Sequence, residues 1–510
     1  MFFIGFIVKS SLVQAQNLNS INPWLNTNQA TLFGDFGRPY DSVSIIMPAT
    51  AYASGFGSYL DNPASVSLFG TSFAEFGFTT RTVDEEAAYR GVIREYDSSD
   101  FQNSITNAGF VYVFPVDIGR LVAGGGYTQF AGYNRSLSVS SRNVLSSITD
   151  FFKTPGSIYS EMAFNTFATD FGDEFQDWDE SIFRIGFDNF GEYPGISQVF
   201  TINERGYGGE YSLFGATEFR QNLMVGVSLG WVRGNYQYER DFQEIDVLND
   251  FNSNFIDTSG DGEPDTDIDR VLLDDRIAAT FDGFRVRAGV LYRITPFINA
   301  GLSYAPSTSF KVDEMLHADL ATVMNNRVRF EETQEREFSY RFRTPSKTSF
   351  GLALDRYYGL TISLAADYVD YRKTELDYGD SELFDDQVRD NDEINEVFRN
   401  VWNVRAGLSY DANPFVTLRA GYANLPGRFN TNMGGTRVVS FGAGFIITSR
   451  LILDMAFQLE RWEEVSSVYD FAQYDYSTLP ESPPDFTIQS ENADRLVRRL
   501  SMAASFVYLF

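Results

Sequence analysis

The stretch LILDMAFQLE, Leu451–Glu460, poses a choice between two folds. Successive strand side chains point to opposite faces. Leu451, Leu453, Met455, Phe457 and Leu459 therefore share one face, and Ile452, Asp454, Ala456, Gln458 and Glu460 the other. One face meets an apolar medium and the other something wetter. A soluble sandwich does this with its apolar face inward, and a membrane barrel does it with its apolar face outward.

The pattern recurs along the chain. Phe284, Val286, Ala288, Val290 and Tyr292 alternate with Arg285, Arg287 and Gly289. Leu360, Ile362, Leu364, Ala366 and Tyr368 alternate with Thr361, Ser363, Ala365 and Asp367. Trp402, Val404, Ala406, Leu408 and Tyr410 oppose Asn403, Arg405 and Gly407, and Leu223–Trp231 repeats the arrangement. The apolar faces tend to end in Tyr or Trp beside a short turn, as in the aromatic girdles of membrane barrels.

Composition points the same way. Of 510 residues, 48 are Phe and 28 Tyr, and none is Cys. A net charge of -29 argues against nucleic acid as a partner. The single histidine, His317, rules out a multi-histidine metal site and is expected in an exposed loop. No stretch reaches the 18 or so apolar residues of a membrane-spanning helix. Residues 1–15 read as a signal peptide, with Val13 and Ala15 suited to a cleavage site but without a basic leader.

Fourteen strands are expected, near 71–83, 104–115, 118–133, 206–218, 221–237, 272–294, 297–311, 334–356, 360–376, 396–411, 414–428, 436–449, 451–467 and 495–510. Pro345 lacks an amide donor and marks an irregular join inside its strand. Short connections alternate with long acidic ones at 84–103, 134–205, 238–271, 312–333, 377–395 and 468–494, the connection 429–435 being a short exception. That asymmetry matches the periplasmic turns and extracellular loops of an outer-membrane protein. The expected fold is an all-β, 14-stranded antiparallel transmembrane β-barrel over 71–510, with loop 134–205 partly helical. Residues 16–70 carry Val43, Ile45, Ile46, Met47, Phe56, Leu60, Val66 and Leu68, too apolar for a free tail. They are assigned to an N-terminal hatch, or plug, inside the lumen.

At this point the chain resembles a known family. YLDNPASVSLFG, just before the first strand, is similar to the Asn-Pro-Ala signature of the FadL/TodX outer-membrane transporters, here Asn62, Pro63 and Ala64. AGVLYRITPFINAGLSYAP (288–306) and RTPSKTSFGLALDR (343–356) also look like family segments. The resemblance implies a monomer in the outer membrane of a Gram-negative-type bacterium. It implies uptake of hydrophobic small molecules such as long-chain fatty acids or hydrocarbons, with release through a lateral opening at a kinked third strand. Gly124, Gly125 and Gly126 lie on that strand and fit either such a kink or close packing against the plug. The family's outer ligand groove matches Val144, Leu145, Ile148, Phe151 and Phe152 at helical spacing, followed by Ile158, Met162, Phe164 and Phe167. These residues either line a groove or pack the two helices on each other.

Other polar groups need partners. Arg285, Arg287 and Arg405 face the lumen and either hold a carboxylate head or pair with Asp367, Asp454 or hatch residues, since an unpaired charge there is costly. In DTSGDGEPD, Asp257, Ser259, Asp261, Glu263 and Asp265 take Ca2+-loop spacing around Gly262, although Ile268 replaces the expected acidic twelfth ligand. The loop 257–269 is either a structural calcium site or a plain acidic loop. No other cofactor is expected. No histidine network or nucleophile motif suggests an enzyme. A passive transporter is the leading reading; a general porin or an adhesive, ligand-binding surface barrel is the alternative.

Overall fold

The computed structural model describes Leu32 and residues 41–510, except 54, 118, 154–157, 173–177, 186–192, 252–255, 380–382, 431–433, 479–484 and the side chains of 95–101, 158 and 478. The expected signal peptide and the first part of the expected hatch lie outside the described residues.

Fourteen antiparallel strands form one closed barrel. They are β1 (Phe73–Tyr89), β2 (Val92–Phe114), β3 (Leu121–Gly132 and Arg135–Asn143), β4 (Ile196–Arg220) and β5 (Leu223–Ile245). β6 (Ile268–Thr295) is followed by β7 (Ile298–Ala305 and Ser309–Met324), β8 (Arg329–Arg343 and Lys347–Tyr357) and β9 (Leu360–Asp370 and Glu375–Asp377). The last five are β10 (Asn400–Asn413), β11 (Val416–Leu425), β12 (Thr436–Thr448), β13 (Leu451–Tyr474) and β14 (Phe486–Leu509). Closure is made by β1 and β14, in register from Phe73 opposite Leu509 to Ala88 opposite Asp494. A closed sheet leaves no edge to lipid and pairs its backbone groups internally.

The faces settle the choice posed by Leu451–Glu460. Phe457 is 47% exposed and Leu459 53%, whereas Asp454 and Glu460 are 5% and 2% exposed. The apolar face is outside and the charged face inside, the reverse of a soluble sandwich. The same inversion holds on β6, where Phe284 is 76% exposed and Arg287 is buried. Trp231, Phe284, Trp402 and Tyr422 project from the outer wall towards the extracellular end. Tyr292, Phe297, Tyr357, Phe415 and Tyr508 do so near the short turns. This apolar band between aromatic girdles identifies an outer-membrane β-barrel.

Several expected loops are instead strand. The segment 84–103 is a hairpin turning at Arg90–Gly91, and 312–333 is a hairpin between β7 and β8. Segment 468–494 is also largely strand, to Tyr474 and from Phe486, whereas 238–271 is strand at its two ends, to Ile245 and from Ile268. His317 accordingly lies in β7, between Asp319 and Glu335 at 2.9 Å each, and not in a loop. These extensions enclose a second apolar core at the extracellular end, including Phe200, Phe242, Leu273, Leu316 and Tyr469. The break at Thr344–Ser346 places Pro345 between the two parts of β8, where no ladder amide is needed.

Candidate functional site

The described part of the hatch, from Asp41 to Phe69, fills the lumen. Its first turns bury Ile46 and Met47 against Ala456 and Ala503 of the wall. Its later turns bury Phe56, Tyr59, Leu60 and Val66 with Val111, Val122 and Phe214. The wall makes room with glycine. A Cβ on Gly226 would lie 2.5 Å from the Pro63–Ala64 backbone, and one on Gly301 would lie 1.9 Å from the Thr50 carbonyl oxygen.

Asn62, Pro63 and Ala64 have a local physical role. Asn62 caps the 3-10 helix Pro63–Leu68, its Oδ1 accepting from the Ala64 amide at 2.9 Å. Proline at the first helical position loses no bond, because that amide has no helical acceptor. The Asn62 Nδ2 donates to Thr50 O at 2.7 Å and to Val290 O of β6 at 3.2 Å, tying the plug to itself and to the wall. At the helix end, Arg120 donates to Ser67 O and Leu68 O. Glu75 of β1 accepts from the Phe56 amide at 2.9 Å and from Asn107 at 2.8 Å.

The luminal arginines are paired. Arg405 bridges Asp61 of the plug, at 2.9 and 3.0 Å, and Asp367 of β9, at 3.1 Å. Arg287 pairs with Glu210 at 2.6 and 2.8 Å, and Arg285 lies 4.0 Å from the same carboxylate. Asp454 pairs with Arg419 at 2.6 Å. Glu210 therefore replaces the partners expected for Arg285 and Arg287. Its side chain reaches past Gly230, whose added Cβ would sit 2.1 Å from Glu210 Oε1. A chamber of about 100 Å³ adjoins Arg285, Arg287, Lys347, Arg405 and Arg428, with Asp367 the acidic residue on its lining.

Only part of the expected groove set is brought together. Val144 and Leu145 precede the first loop helix, Ile148–Phe152, and are exposed. Ser147 begins that helix with a capping box to Asp150, so Val144 and Leu145 never join its apolar face. Ile148, Phe151 and Phe152 are buried in the upper core with Met162 of the second helix, Ile158–Asn165. The side chain of Ile158 lies outside the described residues. Phe164 is half-buried, and Phe167 lies beyond the helix at φ 58°.

Glu244 of β5 accepts from the Ile148 amide at 2.8 Å and from Ser147 Oγ. Asp150 is ringed by Arg184 at 2.9 Å and Lys153 at 2.8 Å, and Lys153 also meets Glu180 at 2.8 Å. Burial pushes the Asp150 carboxyl up, but Arg184 and Lys153 outweigh it and hold the group below the usual carboxylate range.

The wall has a gap. β2 pairs with β3 only from Phe114–Leu121 to Asn107–Thr128. Above that level β2 stays bonded to β1, and β3 to β4, on their other sides. Gly124–Gly126 are in register with both neighbours, so the glycines lie just below the break and not in it. A cavity of about 810 Å³ occupies the break, among Arg81, Gln102, Ile105, Tyr127, Gln129 and Asn134.

In the loop 257–269, Asp257 accepts from the Ser259, Gly260 and Gly262 amides, Asp261 from the Glu263 amide, and Asp265 from Thr258. The carboxylates thus serve their own turn. Among the described residues, no group of three or more His, Cys, Asp or Glu is placed to hold a metal ion.

No protein-family model matches the sequence, and no curated protein matches it. Among solved structures, the chain is similar to the P. putida toluene transporter TodX, with 14% identity over 93% of this chain and 99% of that one, and a TM-score of 0.49. It is similar to the Ralstonia pickettii toluene transporter TbuX, with 14% identity, the same coverages and a TM-score of 0.48. It is also similar to a Pseudomonas aeruginosa FadL homologue, with 13% identity over 92% of this chain and 98% of that one, and a TM-score of 0.48. These likenesses extend over nearly the whole chain.

Proposed function

We propose that the barrel is a passive conduit carrying hydrophobic compounds across the outer membrane, acting as a monomer and releasing them sideways between β2 and β3. One observation carries this reading: the lumen is filled by residues 41–69, while the wall is unpaired above Asn107 and Thr128. A plug packed onto glycine backbones leaves little room for a wide aqueous pore. The wall gap offers a path that never requires an apolar solute to cross water. Closure within one chain fits a monomer.

Long-chain fatty acids suit the conduit among hydrophobic cargoes. The chamber lined by Lys347 and Arg428 beside the paired Arg285, Arg287 and Arg405 carries more cations than acids, which suits a carboxylate head. The test combines two measurements. Cells of a host lacking its own hydrophobic-compound channel should take up a labelled fatty acid or toluene faster when they make this protein. The purified barrel in planar bilayers should pass little ionic current. A large steady conductance with no gain in uptake would instead establish a general porin.

A further inference from the structure

The wall cavity continues onto the outer face of the barrel. Four aromatic side chains stand side by side in register: Tyr127 opposite Tyr211, Tyr211 opposite Trp231, and Trp231 opposite Phe284. The Tyr127 and Tyr211 rings are 5.1 Å apart, and the Tyr211 and Trp231 rings 6.0 Å. Four residues down each strand, about 13 Å away, the row is Ala123, Gly215, Val227 and Ala288. These small side chains leave a shallow apolar groove of about 570 Å³ on the lipid side of the wall, bounded by Leu302 and Tyr304. Tyr127 and Trp231 line the cavity above, so both hollows lie on the same strands.

The upper hollow is mixed, with Arg81, Gln102, Gln129 and Arg233 set among aromatic rings. Gln129 continues the face of Ala123 and Tyr127 yet is only 3% exposed. Its Nε2 donates to Ala131 O at 3.0 Å, while its Oε1 has no hydrogen-bond partner among the described residues. A buried acceptor left bare is costly, and a ligand hydroxyl or protonated acid would satisfy it. Among the described residues no acidic side chain lines this cavity. From Gln129 to Ala123 is six residues, about 20 Å along the strand, a span for a long alkyl chain.

We propose that the cavity and the groove form one site for a single-chain amphiphile in transit, its hydroxyl or acid head at Gln129 and its tail along Ala123, Gly215, Val227 and Ala288. The assignment rests on lateral release, and it selects amphiphiles over bare hydrocarbons. The aromatic row marks the membrane interface, so a head above it and a tail below it match the surrounding bilayer. The occupant is the cargo leaving the gap, not a resident membrane lipid.

The test is equilibrium photolabelling of the full-length protein in phosphatidylethanolamine–phosphatidylglycerol vesicles. The probes are a sixteen-carbon alcohol with a diazirine near its tail end and the matching alkane. The alcohol should label peptides containing Ala123, Gly215 and Val227 more than the alkane by about fivefold, the size of one net hydrogen bond. Unlabelled alcohol should compete. Gly215→Phe should abolish the enrichment; a Cβ there meets nothing closer than 3.7 Å, so the wall accepts the substitution. Gln129→Leu should remove the preference for alcohol while leaving alkane labelling unchanged.

Equal labelling by both probes, or labelling indifferent to Gly215→Phe, would overturn the proposal. Loss of label to added phospholipid but not to added alcohol would also overturn it, by making the occupant a membrane lipid. Labelling needs no net transport, so uptake without groove labelling would leave lateral release standing and refute only this site.

Discussion

Arg405 of β10 and Asp61 of the plug form a buried bidentate pair at 3.0 and 2.9 Å, and Arg405 also serves Asp367. Removing the arginine strands two carboxylates, whereas removing Asp61 leaves Arg405 with Asp367. Arg405→Ala should therefore loosen the plug more than Asp61→Ala, at a cost of about 3–5 kcal/mol. Single-channel recording should show frequent openings in Arg405→Ala, fewer in Asp61→Ala and few in the parent. Equal behaviour of the two variants would mean that the pair does not hold the plug.

The glycine contacts make a steric prediction. At Gly226 even a Cβ collides with the plug backbone at Pro63 and Ala64. Gly226→Val should displace the plug, costing about 1–3 kcal/mol as overpacking does. Gly215→Val, on the outward face of β4, should leave the plug seated. Protease sensitivity of residues 41–69 in the folded barrel distinguishes the two.

The outward face of β13 lies in lipid on this account. Phe457→Arg should cost about 2–4 kcal/mol in vesicles, the price of a cation near the bilayer centre. Equilibrium folding into vesicles measures it. A soluble fold would tolerate the change.

The Asp150 contacts of the loop helix Ile148–Phe152 should hold in mild acid. The two cations beside Asp150 hold its carboxyl below the unfolded value of about 3.9. A lowered folded pKa gives stability that is present above the unfolded pKa and lost as pH falls through the folded one. Burial pushes the Glu244 carboxyl, which accepts from the Ile148 amide, up to about 7, so the comparison is made in Glu244→Gln. There the protection factors of the Ile148–Phe152 amides, corrected for intrinsic exchange, should not change between pH 7 and pH 5, and adding Asp150→Asn should lower them at both.

Much of the barrel was legible because lipid reverses the usual sense of inside and outside. Runs such as Phe284–Tyr292 keep strict alternation only where one face meets hydrocarbon, so strand number and facing could be read from them. Above the membrane both faces of β7 and β8 carry charge, as at His317, Asp319 and Glu335, and the period that marks a strand fades there. Those extensions therefore looked like acidic loops.

The site was less legible. Glu210 sits on the inward face of β4 beside small residues, but its reach to Arg287 depends on the missing side chain of Gly230 in the strand between them. The wall gap depends on where β2 and β3 stop pairing. The three glycines mark its neighbourhood, but no local residue pattern fixes its upper course.

Lateral release is tested most directly by closing the gap. Gln102 Nε2 lies 3.5 Å from Asn134 O, between the parted strands. The sequence has no cysteine, so Gln102→Cys with Asn134→Cys gives a clean pair for a short cleavable bis-maleimide. The account predicts that bridging stops uptake of a labelled fatty acid by cells and that cleaving the bridge restores it, with neither single variant affected. Undiminished uptake through the bridged barrel would contradict lateral release and send the cargo past the plug.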